Sequence, residues 1–138
     1  IKKLEQLTGN SLNNERVAVL GLAFKANTDD IRESRAVVMV DYLLSREAEV
    51  AVYDPAAMSN MKQLYPDLDY AESVESAIKG ASAVLVMTDW NEFRGMDLAH
   101  IGELMDKKVI VDAKNLLSRE QLAENGFAFE GVGRPYNG

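Results

Sequence analysis

Short apolar runs alternate with amphipathic stretches along most of the chain. The run 17–20 is continuously apolar and is closed by Gly21. Behind it, Ala36, Val40, Leu43 and Leu44 recur at helical spacing, with Ser34 placed as an N-cap. The alternation then repeats. A strand is predicted over 49–53, ended by Asp54-Pro55, and Met58, Met61 and Leu64 mark the next helix. A short strand follows at 69–71 and a short helix at 74–78, ended by Gly80. The run 83–87 reads as a strand closed by Thr88-Asp89, and Leu98, Ile101 and Leu104 mark another helix. A strand over 109–111 ends at Asp112, a helix over 120–124 precedes Gly126 in the position of a C-cap glycine, and 127–129 closes the series. Ahead of all this, Leu4 and Leu7 share a face and Gly9-Asn10-Ser11 reads as a stop, so residues 1–14 are expected to be a helix end and a linker.

Strands and helices alternating at these lengths imply parallel strands joined by crossovers. Uninterrupted apolar strands imply burial on both faces. The expected architecture is a doubly wound, mostly parallel α/β sheet of five or six strands in three layers, α/β/α. Sheets of this kind bind ligands beyond the carboxyl ends of their strands. The segments to inspect are therefore 21–34, 53–55, 88–93 and 112–116.

Composition narrows the chemistry. With 138 residues the chain is one domain of ordinary size. It has no cysteine, which excludes a disulfide scaffold, a zinc–thiolate site and a cysteine nucleophile within it. His100 is the one histidine, so a histidine metal cage is excluded and no metal is expected. The net charge of -7 argues against a nucleic-acid surface. No apolar run approaches the roughly 20 residues that span a bilayer, so no membrane partner is expected. The start at Ile1 rather than Met points to a piece of a longer protein.

The segment after the first strand lacks the three glycines that let a dinucleotide pyrophosphate approach the backbone; Gly21 alone is present. No NAD is therefore expected in this domain's own first crevice. The loop offers instead Lys25, a cation suited to a phosphate or carboxylate, beside Phe24, which is either a core plug or a stacking surface. Asp29 and Asp30 precede a helix, where negative charge is favoured, and can pair with Arg32 or Arg35. A receiver-type phosphorylation site built on Asp54, Thr88 and Lys114 fails on spacing, because the acidic pair does not follow the first strand directly. Asp54 stands where a cofactor-binding relative would hold the ribose, yet before Pro55 it can simply shape the turn. Trp90 can cover a crevice or pack beneath a helix, Lys114 places a second cation at a strand end, and His100 lies on a charged helix facing solvent.

The loop Gly21-Leu22-Ala23-Phe24-Lys25 with Thr28-Asp29-Asp30-Ile31-Arg32-Glu33-Ser34 resembles the opening of the C-terminal domain of the UDP-glucose/GDP-mannose dehydrogenase family. Tyr53-Asp54-Pro55, Val86-Met87-Thr88-Asp89-Trp90, Val111-Asp112-Ala113-Lys114-Asn115 and Gly131-Val132-Gly133-Arg134-Pro135 agree in order and spacing. The resemblance covers the chain from Arg16 onward. It implies a Rossmann-like domain, residues 15–138, that closes over a nucleotide-sugar within a three-part, cytoplasmic, NAD-dependent enzyme. Such an enzyme oxidises a sugar C6 alcohol twice, to a carboxylate, through a covalent intermediate on a cysteine. NAD and that cysteine would belong to sequence outside this chain, and residues 1–14 would be the end of the central helical region.

Position by position, the resemblance assigns Phe24, Lys25 and Lys114 to the nucleotide-sugar and Arg32 to the NAD held by the other domain. Lys114 stands where the family often has arginine, and Ala113 where it often has glycine. Arg35 stands where proline is usual, a change expected to affect stability more than activity. UDP-glucose is the first-choice substrate, ahead of UDP-N-acetylmannosamine and GDP-mannose. The expected partners are the UDP-sugar, the remaining domains of the same enzyme and a second copy in a homodimer. The competing reading is a non-catalytic Rossmann-like module used for dimerisation or regulation.

Overall fold

Apolar residues on successive positions of the strands point to opposite faces, and both faces are covered. In the computed structural model, which describes residues 12–32 and 34–131, strand β1 (Arg16–Leu20) sends Val17 and Val19 to one side and Ala18 and Leu20 to the other, all fully buried. The elements that follow are α1 (Arg35–Ser45), β2 (Glu49–Tyr53), α2 (Met58–Leu64), β3 (Asp69–Tyr70), α3 (Val74–Ile78) and β4 (Ala83–Val86). Then come α4 (Asn91–Arg94), α5 (Leu98–Leu104), β5 (Val109–Asp112), α6 (Arg119–Glu124) and β6 (Ala128–Gly131).

Every strand pairing is parallel, and the spatial order is β3-β2-β1-β4-β5-β6. The chain winds outward from β1 to β3, crosses back to place β4 beside β1, and winds outward again to β6. That reversal leaves a crevice beyond the carboxyl ends of β1 and β4, where doubly wound sheets bind ligands. On one face Val17, Val19, Val50 and Val52 pack with Ala36, Val40 and Leu43 of α1 and Met61 of α2. On the other, Ala18, Leu20, Val84 and Ile110 pack with Ile78 of α3, Phe93 of α4, Ile101 of α5 and Leu122 of α6. The expected α/β/α layering is thus present, with six strands, all parallel.

Local chemistry sets the helix ends. Ser34 caps α1 by accepting from the Ala36 amide, and Ser73, Asp97 and Ser118 cap α3, α5 and α6 in the same way. Gly80 and Gly126 take positive φ just past α3 and α6. Two expected core positions are not in the core: Leu44 and Leu64 lie toward solvent at 39% and 57% exposure. The one-turn helix α4 has no counterpart in the sequence reading. The Leu4/Leu7 segment and the 132–135 motif lie outside the described residues. Among the described residues, no helix is long and apolar enough to cross a membrane, and no group of three metal-ligating side chains gathers.

Candidate functional site

The carboxyl ends of β1 and β2 are tied together by one carboxylate. Asp54, fully buried just after β2, accepts five hydrogen bonds. Its Oδ2 takes the amides of Leu22 (2.7 Å) and Ala23 (3.1 Å) and the indole Nε1 of Trp90 (3.1 Å). Its Oδ1 takes the amides of Ala56 (2.7 Å) and Ala57 (2.8 Å). An acceptor-only carboxylate suits five converging donors. Asp54 therefore shapes the turn, as its place before Pro55 implied, and also fixes the first loop and the segment after β4.

The first loop is pinned along its length. Gly21 adopts φ +97°, and a Cβ there would lie 2.4 Å from Thr88 Oγ1. Thr88 is buried and donates to the Ala23 carbonyl at 2.9 Å. The Phe24 amide donates to the Asp30 carbonyl (2.9 Å), the Ala26 amide to Asp89 (3.2 Å), and Ser34 Oγ to the Leu22 carbonyl (2.7 Å). On the far side, buried Asp112 accepts from the amides of Lys114 (3.1 Å) and Leu117 (2.8 Å), and the Ala113 amide donates to Val86 (2.9 Å). Both sides of the crevice thus rest on fixed backbone.

Between them lies a cleft of about 190 Å³ lined by Ala23, Phe24, Arg35, Met87, Ala113 and Lys114. Ala23, Phe24 and Arg35 come from the β1–α1 side, Met87 from the end of β4, and Ala113 and Lys114 from the end of β5. The lining holds, among the described residues, two cations and no carboxylate, in a chain of net charge -7. Among the described residues, neither Arg35 nor Lys114 has an ion-pair partner. Phe24 is not a core plug: its side chain stands 42% exposed. The arrangement can hold an anion carrying a flat or apolar group.

The site residues expected from the sequence fall in different places. Phe24 and Lys114 share the cleft. Lys25 does not line it; its Nζ stands 5.4 Å from the Phe24 ring centroid, a cation–π contact. Arg32 lies in a separate, wider groove of about 550 Å³ bordered by Asp29, Asp30, Asn60 and Leu64. There its guanidinium forks onto Asp30, Nε to Oδ1 at 3.0 Å and Nη2 to Oδ2 at 2.7 Å. Those hydrogen bonds hold the Asp30 carboxyl at about 2, well below the usual carboxylate range, and raise Arg32 in turn. Of the acidic pair, Asp30 meets Arg32 as anticipated; Arg35 turns to the cleft instead. His100 is exposed on α5, as read. The residue missed is Arg35, whose signal was available: the first position of the helix after β1 lies at the carboxyl end of the sheet, like the loop before it.

The residues present do not fit a dinucleotide in this crevice. The Asp54 carboxylate that would meet ribose hydroxyls has both oxygens occupied by protein donors and no exposed surface. The segment after β1 holds Gly21 in place of the three glycines that bring a dinucleotide pyrophosphate close to the backbone.

Comparison with known proteins identifies the relatives. Residues 18–119 match the family model described as UDP-glucose/GDP-mannose dehydrogenase family, UDP binding domain. The chain is 37% identical over 134 residues to a UDP-glucose 6-dehydrogenase of Rhizobium meliloti, covering 97% of this chain and 31% of that protein. It is 44% identical over 110 residues to UDP-glucose 6-dehydrogenase AglM of Haloferax volcanii, covering 80% of this chain and 25% of the relative. The fold matches the solved structure of a UDP-D-ManNAc dehydrogenase from Pyrococcus horikoshii with a TM-score of 0.80 at 31% identity, over 96% of this chain and 29% of that one. The chain thus spans a third or less of each of these proteins. A cleft lined by two cations at the switch point, the absence of a dinucleotide fit and the family match agree: this chain belongs to the UDP-glucose/GDP-mannose dehydrogenase family, as its UDP binding domain.

Proposed function

We propose that this chain is the nucleotide-sugar-binding part of an NAD-dependent UDP-sugar 6-dehydrogenase, with UDP-glucose as substrate and UDP-glucuronate as product. The observation that carries the reading is the cleft itself. Two cations without ion-pair partners among the described residues and an exposed aromatic ring converge where a doubly wound sheet binds its ligand. A nucleoside diphosphate supplies the matching anion and the flat group. In this reading Phe24 and Lys114 contact the nucleotide-sugar directly, and Lys25 does so from beside the Phe24 ring. Arg32, in its separate groove, reaches toward NAD held by another domain.

The volume of the cleft supports a shared site. Pockets that bury a small ligand by themselves measure about 300–1,000 Å³, so a cleft of about 190 Å³ holds only part of a nucleotide-sugar. The remainder, with NAD and the catalytic cysteine, belongs to polypeptide beyond this chain. This domain contributes binding energy remote from the reacting carbon, which holds C6 in place for oxidation. Converting an alcohol to a carboxylate removes four electrons, so two dinucleotides are consumed per sugar. The enzyme works in the cytoplasm as a homodimer.

The test is a substrate panel on the full-length protein with NAD, following NADH absorbance. The reading predicts two NADH per UDP-glucose, with slower or absent turnover of UDP-N-acetylmannosamine and GDP-mannose. Turnover of UDP-N-acetylmannosamine alone would overturn the choice of sugar. No NADH from any of the three would overturn the enzyme.

A further inference from the structure

We propose that Arg35 is a diphosphate-binding residue, supplying the forked contact in a two-cation clamp whose other arm is Lys114. The inference rests on reading the cleft as the nucleotide-sugar site and adds a residue to it. Arg35 is the first residue of α1, and its backbone is fixed from two directions. The preceding Ser34 accepts from the Ala36 amide at 3.1 Å and donates to the Leu22 carbonyl at 2.7 Å. Lys114 is fixed on the other side by Asp112. The sheet order β1-β4-β5 therefore presents one cation from each flank of the cleft, with Met87 from the middle strand between them.

Two like charges lining one small cleft repel each other, and among the described residues no carboxylate in the lining offsets them. An anion of two or more charges removes that repulsion and gains both attractions. The two cations are chemically unequal. A lysine ammonium is a point charge, whereas a planar guanidinium matches two phosphate oxygens at once. Among the described residues Arg35 is the only guanidinium in the lining, so the geometry-specific contact falls to it. Phe24, on the same flank, is left to meet the base or the sugar. Arg32 cannot substitute, because it lies in another groove with its guanidinium on Asp30.

The experiment compares Arg35→Gln and Arg35→Lys with the parent chain. The probes are UDP, uridine and inorganic pyrophosphate, with binding followed by amide shifts at one fixed salt concentration. The parent is expected to bind UDP at the cleft and to release it to pyrophosphate. Arg35→Gln is expected to weaken UDP about tenfold while uridine stays within about twofold. Arg35→Lys keeps the charge without the fork and is expected to fall between the two. Arg35→Gln binding UDP within about twofold of the parent would overturn the role of Arg35 and leave the cleft standing as the site. An equal loss for UDP and uridine would overturn it too, by marking Arg35 as structural. Should Arg35→Gln not fold, Arg35→Lys decides: parental UDP affinity there removes the forked contact. UDP shifts away from the cleft in the parent chain would overturn the underlying reading and this inference together.

Discussion

The indole nitrogen of Trp90 donates to Asp54 Oδ2 across 36 positions of sequence, tying the segment after β4 to the turn after β2. The same oxygen holds the Leu22 and Ala23 amides, so the residues leading into Phe24 are set by a carboxylate just past a different strand. Asp54→Asn would aim an amide NH2 at backbone donors. It is expected to cost about 3 kcal/mol or more, against about 1.5–3 kcal/mol for Trp90→Phe, which removes one hydrogen bond to a charged group. Urea unfolding monitored by circular dichroism measures both. Asp54→Asn as stable as the parent would show that the carboxylate does not hold these loops.

Gly21 is required twice over, by its φ of +97° and by the approach of Thr88. Gly21→Ala is expected to destabilise by at least about 2 kcal/mol. Removing the Thr88 side chain should not rescue it fully, because the Thr88 amide nitrogen would also lie 2.8 Å from the new Cβ. Thermal unfolding of Gly21→Ala and of Gly21→Ala with Thr88→Ala checks this; full recovery in the double variant would leave φ without a role.

The Asp30–Arg32 pair makes a pH prediction. The Asp30 carboxyl is depressed to about 2 by the Arg32 hydrogen bonds. A carboxyl depressed in the folded state adds stability above its ordinary range and loses it as pH falls toward about 2. Carboxyl carbon NMR should therefore show Asp30 titrating at about 2 in the parent and higher in Arg32→Ala, where only the retained amide of residue 32 still lowers it. The pair is exposed, so the effect on global stability is small. Titration of Asp30 in its ordinary range in the parent would mean that the Arg32 side chain is free of it.

Lys25 stands over Phe24 rather than in the cleft lining. In the full-length enzyme, Lys25→Ala is expected to raise the UDP-sugar KM several-fold while leaving the NAD KM within about twofold. Equal effects on both would remove Lys25 from the sugar side.

The strands and most helices were legible because each strand is a separate apolar run, buried on both faces, and because Ser34, Gly80 and Gly126 mark helix ends by local chemistry. Helix α4 was not, since four residues give no helical period and Trp90, ahead of it, offers no capping hydrogen bond. Phe24 was legible as an aromatic at a strand end but not as plug or platform, a choice decided by its exposure. The role of Asp54 was legible only in part: the turn donors lie two and three positions away, whereas Leu22, Ala23 and Trp90 arrive through the strand order. Arg35 and Lys114 are 79 positions apart and meet at one cleft because β4 lies between β1 and β5. A linear reading of Arg35 as a helix-start substitution could not supply that neighbour.

Titration of this chain with UDP, followed residue by residue through backbone amide shifts and repeated with NAD, separates a nucleotide-sugar site from a dinucleotide site. Saturable UDP shifts are expected at Ala23, Phe24, Arg35, Ala113 and Lys114, with NAD leaving those amides largely unmoved. Shifts confined to the groove around Asp29 and Asn60, or NAD outcompeting UDP at the cleft, would contradict the nucleotide-sugar reading.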